Sequence, residues 1–298
     1  MRLHVVDGTF ELYRAHFSRR PDRLAADGTD IKATLGVMDS LLALFSDPRE
    51  HATHIAVAFD NPIESFRNDL FADYKTGEGM EPALVAQMDL VEEAVAALGI
   101  VVWSMDRFEA DDALATAAHR FESNPSLERI VICSSDNDFA QCVRGERIVL
   151  YNRIKRVMLN EAAVLEKFGV PPERIPEWLA LVGDKSDGIP GIPGFGPKTA
   201  AVVLRRWGRM ENIAMEPGAW EELDVRGKAI LASTFFERRQ EAIRYRDQGI
   251  KRLDAPLPES LENLRWRGAN RQQLESLSQA LEDGSILQRQ IPLRDAGQ

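Results

Sequence analysis

Cysteine is nearly absent: Cys133 and Cys142 are the only two in 298 residues, and they form no CxxC pair. That excludes a multi-bridge disulfide scaffold and suits a reduced cytoplasm. Cys133 falls in an apolar strand pattern and reads as core. No apolar run is long enough to span a bilayer, and the N-terminus has no signal-peptide pattern, so no membrane association is expected. The chain has no G-x-x-x-x-G-K-[ST] loop and no kinase signature set, which argues against a kinase or a nucleotide hydrolase. There is no internal repeat. Positive charge is in deficit, with 37 Lys and Arg against 47 Asp and Glu and a formal net charge of −10.

A net negative charge at first argues against a nucleic-acid partner. The position of the acids changes that. Nine of them, Asp7, Asp60, Glu109, Asp111, Asp112, Asp136, Asp138, Asp184 and Asp187, fall in the motifs below, and setting them aside brings the formal charge from −10 to −1. A concentrated acidic pocket with scattered basic patches differs from a uniformly acidic surface.

The apolar content of 44% supports a real core. Leu3 to Val6, Ile55 to Phe59, Ile100 to Trp103, Ile130 to Cys133 and Arg147 to Tyr151 read as short buried strands. Helical patterns lie between them: the stretch with Tyr13 and Arg14, Ile31 to Phe45, Leu84 to Leu98, and residues 108–120. Alternating strands and helices predict an α/β fold with a mostly parallel sheet covered on both faces. In such sheets the ligand site lies beyond the carboxyl ends of the strands. Asp7 and Asp60 end strands, Asp136 and Asp138 follow one, and Glu109, Asp111 and Asp112 open a helix after another. One such Asp is often a cap or turn residue. Repetition after four strands predicts acids gathered on one edge.

From about Ile175 the pattern turns helical, around GDKSDGIPGIPGFGPKTAA at 183–201. Asp184 and Asp187 would share a face if the helix ending near Val182 continued through them. Pro190 and Pro193 break helices, and Gly191, Gly194 and Gly196 permit sharp turns and close approach to the main chain. Pro197 suits the first turn of a new helix, whose N–H groups, with Lys198 and Thr199, would face an anion. An αα-hairpin with a Gly/Pro loop is the plain structural alternative. The D-x-x-D and G-x-x-G-x-G-x-K-T combination instead predicts a grip on a phosphate backbone, with Lys185 nearby.

Converging acids without cations would repel and raise each other's pKa. Oxygen-only donors suit Mg²⁺, with Mn²⁺ able to substitute, and the absence of His and Cys from the motifs argues against zinc. Two such ions about 4 Å apart activate water and stabilise the leaving oxygen in phosphodiester hydrolysis.

The residues VVDG at 5–8, AFD at 58–60, SFR at 65–67, DYK at 73–75, FEADD at 108–112, SSDNDF at 134–139 and the glycine-rich run resemble the 5′-nuclease family. That family comprises flap endonucleases, phage 5′-exonucleases and the N-terminal domain of bacterial DNA polymerase I. The motifs span about residues 3 to 207 in family order. The resemblance implies a three-layer αβα PIN-like catalytic domain over 1–174 with an arch at about 66–90. A helix-three-turn-helix DNA-binding subdomain would follow over 175–250, and a tail over 251–298 would pack on the body. With no polymerase region following, the chain resembles the stand-alone form.

The resemblance assigns Asp7, Asp60, Glu109, Asp111 and Asp112 to a first metal site, and Asp136, Asp138, Asp184 and Asp187 to a second. Lys75 matches an arch lysine that would neutralise the scissile phosphate. Tyr74 would stack on an unpaired base or pack in the core, and Arg14 and Arg67 match basic positions near phosphates. Gly191, Gly194 and Gly196 would bind duplex backbone, through K⁺ held by main-chain carbonyls. The chain departs from the family pattern at Glu78, where a basic residue is expected, and at Gly188, which replaces an Asn.

The implied function is a metal-dependent structure-specific 5′-nuclease in replication and repair. It would cleave 5′ flaps, nicked or gapped duplexes and RNA–DNA primers beside a DNA polymerase and ligase, in the cytoplasm at the nucleoid. Three other readings are open: a DNA-structure-binding protein of weak activity on the same fold, a PIN-type ribonuclease, and a metal-dependent phosphatase on small molecules.

Overall fold

The computed structural model describes residues 1–70, 74, 76–289 and 291–294. In chain order the elements are β1 (Arg2–Asp7), α1 (Gly8–His16), α2 (Lys32–Ser46), β2 (His54–Asp60), α3 (Phe66–Leu70), α4 (Pro82–Val85), α5 (Met88–Ala97), β3 (Val101–Met105), α6 (Ala110–Phe121) and β4 (Arg129–Cys133). They continue with β5 (Ile148–Asn152), β6 (Val157–Leu159), α7 (Glu161–Phe168), α8 (Ile175–Val182), α9 (Pro197–Trp207), α10 (Lys228–Gly249), β7 (Ala269–Asn270), α11 (Arg271–Ala280) and β8 (Leu293–Arg294). None of the described helices is long and apolar enough to cross a membrane.

The chain divides into two compact units. The first comprises Met1–Phe66, Thr76–Ser135 and Arg252–Gln298. Its four parallel strands run in the order β3-β2-β1-β4. Val5 sits at the centre, opposite Ala56 on one side and Ile132 on the other. Leu3, Val5, Val6, Ala56, Val57, Ala58, Ile130 and Ile132 are fully buried, as strands covered on both faces must be. The five expected strands are present, and β6 is a short addition. Cys133 is buried, as its strand pattern predicted.

Close packing of α1 on β2 fixes where the first acid stands. A methyl group on Gly8 would lie 2.5 Å from Phe59 Cε1 and 2.7 Å from Val57 Cγ1. Only a residue without Cβ lets the helix start immediately after Asp7 at this distance. The expected helix over Leu84 to Leu98 is broken into α4 and α5. Gln87, buried between them, accepts from Thr34 N at 3.0 Å and Thr34 Oγ1 at 3.2 Å, tying the break to α2. The C-terminal stretch returns to this unit. Trp266 Nε1 donates to Leu98 O at 2.8 Å, and its ring stacks on Phe45 with centroids 3.7 Å apart.

The second unit comprises Arg67–Lys75 and Asp136–Lys251. It holds the antiparallel pair β5 and β6, a 3-10 turn at Asp138–Cys142, and α7 to α10, with α8 packed on both α9 and α10. Trp220, fully buried, sits against Trp207, Phe235 and Phe236. The 22-residue helix α10 is the largest element that the sequence pattern did not delimit. Its second half, ERRQEAIRYRDQG, is too polar to show an apolar stripe.

Gly8→Ala is expected to lower stability by ~1–3 kcal/mol through overpacking at β2. Gly284→Ala, where an added methyl group meets nothing within 4 Å, should leave stability unchanged. Urea midpoints at constant slope measure both.

Candidate active site

In the first unit, chain order and sheet register set the acids. Asp7 closes β1 and caps α1: Oδ1 accepts from Phe10 N and Oδ2 from Ser134 Oγ, both at 2.9 Å. Asp60 closes β2, and its Oδ1 accepts from Ala110 N at 2.7 Å, at the start of α6. The side chain thus meets the positive end of a helix. Glu109 is the N-cap of α6 and shares a reciprocal capping box with Asp112. Ser65 Oγ donates to Glu109 Oε1 at 2.8 Å. Asp112 is fully buried, with Oδ2 on Glu109 N at 3.1 Å and Oδ1 on Arg252 N at 2.8 Å. Both of its oxygens are given to main-chain amides. Asp111, one residue earlier, is half-buried.

Asp7, Asp60 and Asp111 act on one another. Burial, then the charge of Asp111, then that of Asp60 push the Asp7 carboxyl well above the usual carboxylate range. The hydrogen bonds from Phe10 N and Ser134 oppose this. Burial and the Asp60 charge likewise raise the Tyr13 hydroxyl. A divalent cation is what this oxygen-only, mutually repelling set would accommodate. Among the described residues, no group of three or more His, Cys, Asp or Glu side chains is already arranged to hold a metal ion. Asp60, Glu109 and Asp112 are turned instead to protein donors.

In the second unit the acids have local partners. Asp136 Oδ1 accepts from Asp138 N at 3.2 Å. Asp138, fully buried, forms an ion pair with Lys251. The helix does not continue through Asp184 and Asp187 as the three-residue spacing suggested. It stops at Val182, because Gly183 turns with φ +96° and Asp184 enters a two-residue bridge with Ile189. Asp184 Oδ1 accepts from Ser186 N at 3.0 Å. Asp187 is buried, and its carbonyl accepts from Gln248 Nε2 at 3.1 Å.

Arg67, expected near phosphates, lies 2% exposed. Its Nε donates to Gln248 O and its Nη2 to Ile250 O, both at 3.2 Å, so its guanidinium serves the end of α10. Tyr74 is buried, which matches core packing rather than a ring open to a base. Lys75 lies outside the described residues. Arg14 pairs with Glu11 and donates to Ser40 Oγ at 2.5 Å.

The glycine-rich loop is formed as a turn between α8 and α9. Gly191 has φ +75° and Gly194 φ +88°. Gly196 caps α9, which starts at Pro197, one residue ahead of the expected Lys198. Lys185 and Lys198 are exposed, and Thr199 is half-buried. Gly188 has φ +65°, a left-handed conformation that Asn also tolerates, so the backbone shape here suits the expected Asn as well as Gly. Sequence reasoning missed Lys251, Gln248 and Gln141. Each is a single polar residue with no local pattern, partnered far along the chain.

Residues 2–169 match the family model described as 5′-3′ exonuclease, N-terminal resolvase-like domain, and residues 170–272 match 5′-3′ exonuclease, C-terminal SAM fold. A 5′-3′ exonuclease of Aquifex aeolicus is 34% identical over 221 residues, which are 74% of this chain and 73% of that protein. DNA polymerase I of Pseudomonas aeruginosa is 35% identical over 283 residues, 94% of this chain but 30% of the relative. That of Rhizobium leguminosarum is 34% identical across 88% of this chain and 26% of its own length. The chain therefore spans only about a quarter to a third of these polymerases. Zinc-bound T5 5′-exonuclease shares the fold with a TM-score of 0.62 at 17% identity, over 97% of this chain and 99% of the other. The Rad2 catalytic core in complex with DNA gives 0.61 at 13% identity, over 96% and 89%. Two domain matches in series, and a relative aligned over most of both chains, establish that the chain belongs to the 5′-3′ exonuclease family of hydrolytic nucleases.

Proposed function

We propose that the chain is a divalent-metal-dependent, structure-specific 5′-nuclease that hydrolyses phosphodiester bonds in DNA near single-strand/duplex junctions. The observation that carries this reading is the set Asp7, Asp60 and Asp111, held at strand ends and a helix start and raising the pKa of Asp7. Support comes from relatives: T5 D15 is described as a flap endonuclease in complex with DNA and metal ions, and Rad2 as bound to a DNA substrate. Mg²⁺ suits the donor set and would supply Lewis-acid stabilisation of charge developing on the phosphate.

The chain's own residues do the positioning. Phe10 N and Ser134 Oγ orient Asp7, Ala110 N orients Asp60, and Ser65 holds Glu109. Lys198, Thr199 and the amides opening α9 would take a duplex phosphate, with K⁺ at the preceding loop carbonyls. Lys75 would meet the scissile phosphate. A DNA polymerase and a ligase would act on the neighbouring steps. A second reading, a DNA-structure-binding protein of weak activity, is favoured by one observation: Asp138 is already neutralised by Lys251.

Cleavage of a 5′-labelled flap duplex with Mg²⁺ tests the proposal. Half-exposed Asp111 is the informative position, because changing it leaves the buried caps in place. Asp111→Asn should reduce junction cleavage by about 10²-fold or more while flap binding persists. Tight flap binding by the wild type with no cleavage in Mg²⁺ or Mn²⁺ would instead support the second reading.

The same variant should be more stable without metal, by ~0.5–1 kcal/mol, since Asp111 is partly screened by solvent. The folded-state pKa of Asp7 lies above its unfolded value through burial and then the charge of Asp111, so ionising it costs stability as pH rises. Removing Asp111 relieves part of that cost. The gain should appear as pH rises towards and through the raised pKa of Asp7 and vanish in acid, where Asp7 is protonated in both states. Thermal melts in chelator across pH read it.

Lys198→Ala should weaken duplex binding alike for all sequences and reduce the salt-dependence slope by about 1. Binding isotherms at several salt concentrations measure this.

A further inference from the structure

Asp138, in the second unit, meets a buried cation. The Lys251 ammonium pairs with Asp138 Oδ2, and the two residues are 4% and 0% exposed. The lysine is fixed at both ends. Its backbone N donates to Gln141 Oε1 at 3.1 Å. Gln141 Nε2 donates in turn to Asp138 O and Gly249 O, both at 3.0 Å. The ammonium also lies 5.7 Å from the centre of the Phe139 ring, a neighbour of Asp138 in sequence. Arg67 and Gln248 brace the same chain end: Arg67 holds the carbonyls of Gln248 and Ile250, and Gln248 holds that of Asp187. Lys251 therefore projects from a braced segment and not from a loose tail.

Lys251 places a full positive charge directly on the Asp138 carboxylate, at Oδ2. Breaking a buried ion pair is costly because it leaves an uncompensated charge, and among the described residues neither carboxylate oxygen of Asp138 has a hydrogen bond to offset that loss. A divalent ion at Asp138 would have to displace that buried ammonium from Oδ2 or bind at Oδ1 against its charge. Asp136 accepts from the Asp138 amide, and Asp184 accepts from Ser186.

We propose that Lys251 is a tethered cation that takes the place of a metal ion at Asp138, so that this chain binds its divalent ions through the acids of the first unit and Asp138 is not a metal ligand. The inference rests on reading Asp136, Asp138, Asp184 and Asp187 as the positions where relatives would hold a second ion. The charge of Lys251 substitutes for that of the ion, which also predicts a nuclease whose metal requirement is smaller than its acidic motifs suggest.

Counting Mn²⁺ bound to the full chain by equilibrium dialysis with paramagnetic resonance tests this without any cleavage. The proteins are wild type, Asp138→Asn, Lys251→Met and the neutral double variant. Wild type and Asp138→Asn should bind the same number of ions. Lys251→Met should bind one more, and the double variant should lose it again. Loss of an ion in Asp138→Asn, or a folded Lys251→Met with the wild-type count, overturns the proposal. Should Lys251→Met not fold, the comparison of wild type with Asp138→Asn decides alone. Absence of nuclease activity in the wild type would overturn the functional reading and leave the ion count standing, so the two failures are distinguishable.

Discussion

Burial of Asp7 beside other negative charge is the constraint around which the first unit is built. The parallel register sets Asp7 against Ala58, two residues before Asp60, so two strand ends deliver carboxylates to one neighbourhood. Packing α1 hard against β2 at Gly8 removes water from that neighbourhood. The result opposes stability, because burial and the Asp111 and Asp60 charges all disfavour an ionised Asp7. Helix starts moderate it: the amides of Phe10 and Ala110 point at Asp7 and Asp60. A fold selected only for stability would place an amide or an apolar residue at Asp7. Retaining the acid is the usual signature of a site where charge is needed for a ligand.

Three buried acids show three ways of handling the same cost. Asp112 gives both oxygens to main-chain amides and closes a capping box, so its charge is absorbed by the backbone. Asp138 is matched by an ammonium held in place from two sides. Asp7 has two hydrogen bonds set against two like charges, and its pKa rises. The last arrangement leaves electrostatic work for an added cation. Motif membership treats the three alike, and only their partners separate them.

Most of the fold was legible because its signals are local. A short apolar run is a buried strand, and all five such runs are strands, two of them ending directly in Asp. The acids at 109–112 do open a helix, since a capping box is written within four consecutive residues. Failures follow from distance or from a single dihedral. Arg67 matches a phosphate-binding pattern in sequence, yet its partners are carbonyls at Gln248 and Ile250, which no local pattern announces. Lys251 is one lysine among 37 basic residues until the chain brings it to Asp138. The spacing of Asp184 and Asp187 fits a helix, but Gly183 takes a conformation that ends one.

The glycines after Gly183 show how far a motif can be divided by physical role. A methyl group on Gly191 would lie 2.7 Å from the backbone of Val182 and Gly183, so this glycine is required for the loop to fold back on the end of α8. Gly194 needs its positive φ and touches only the flexible end of Leu231, at 3.0 Å. Gly196 has an ordinary φ of −98° and nothing within 4 Å of an added methyl group. Neither packing nor backbone strain therefore requires glycine at 196. What a side chain there would obstruct is the approach to the free amides that open α9, beside exposed Lys198. Of the three, Gly196 is the residue whose smallness the chain itself does not require, which is what the proposed contact with a duplex phosphate would use.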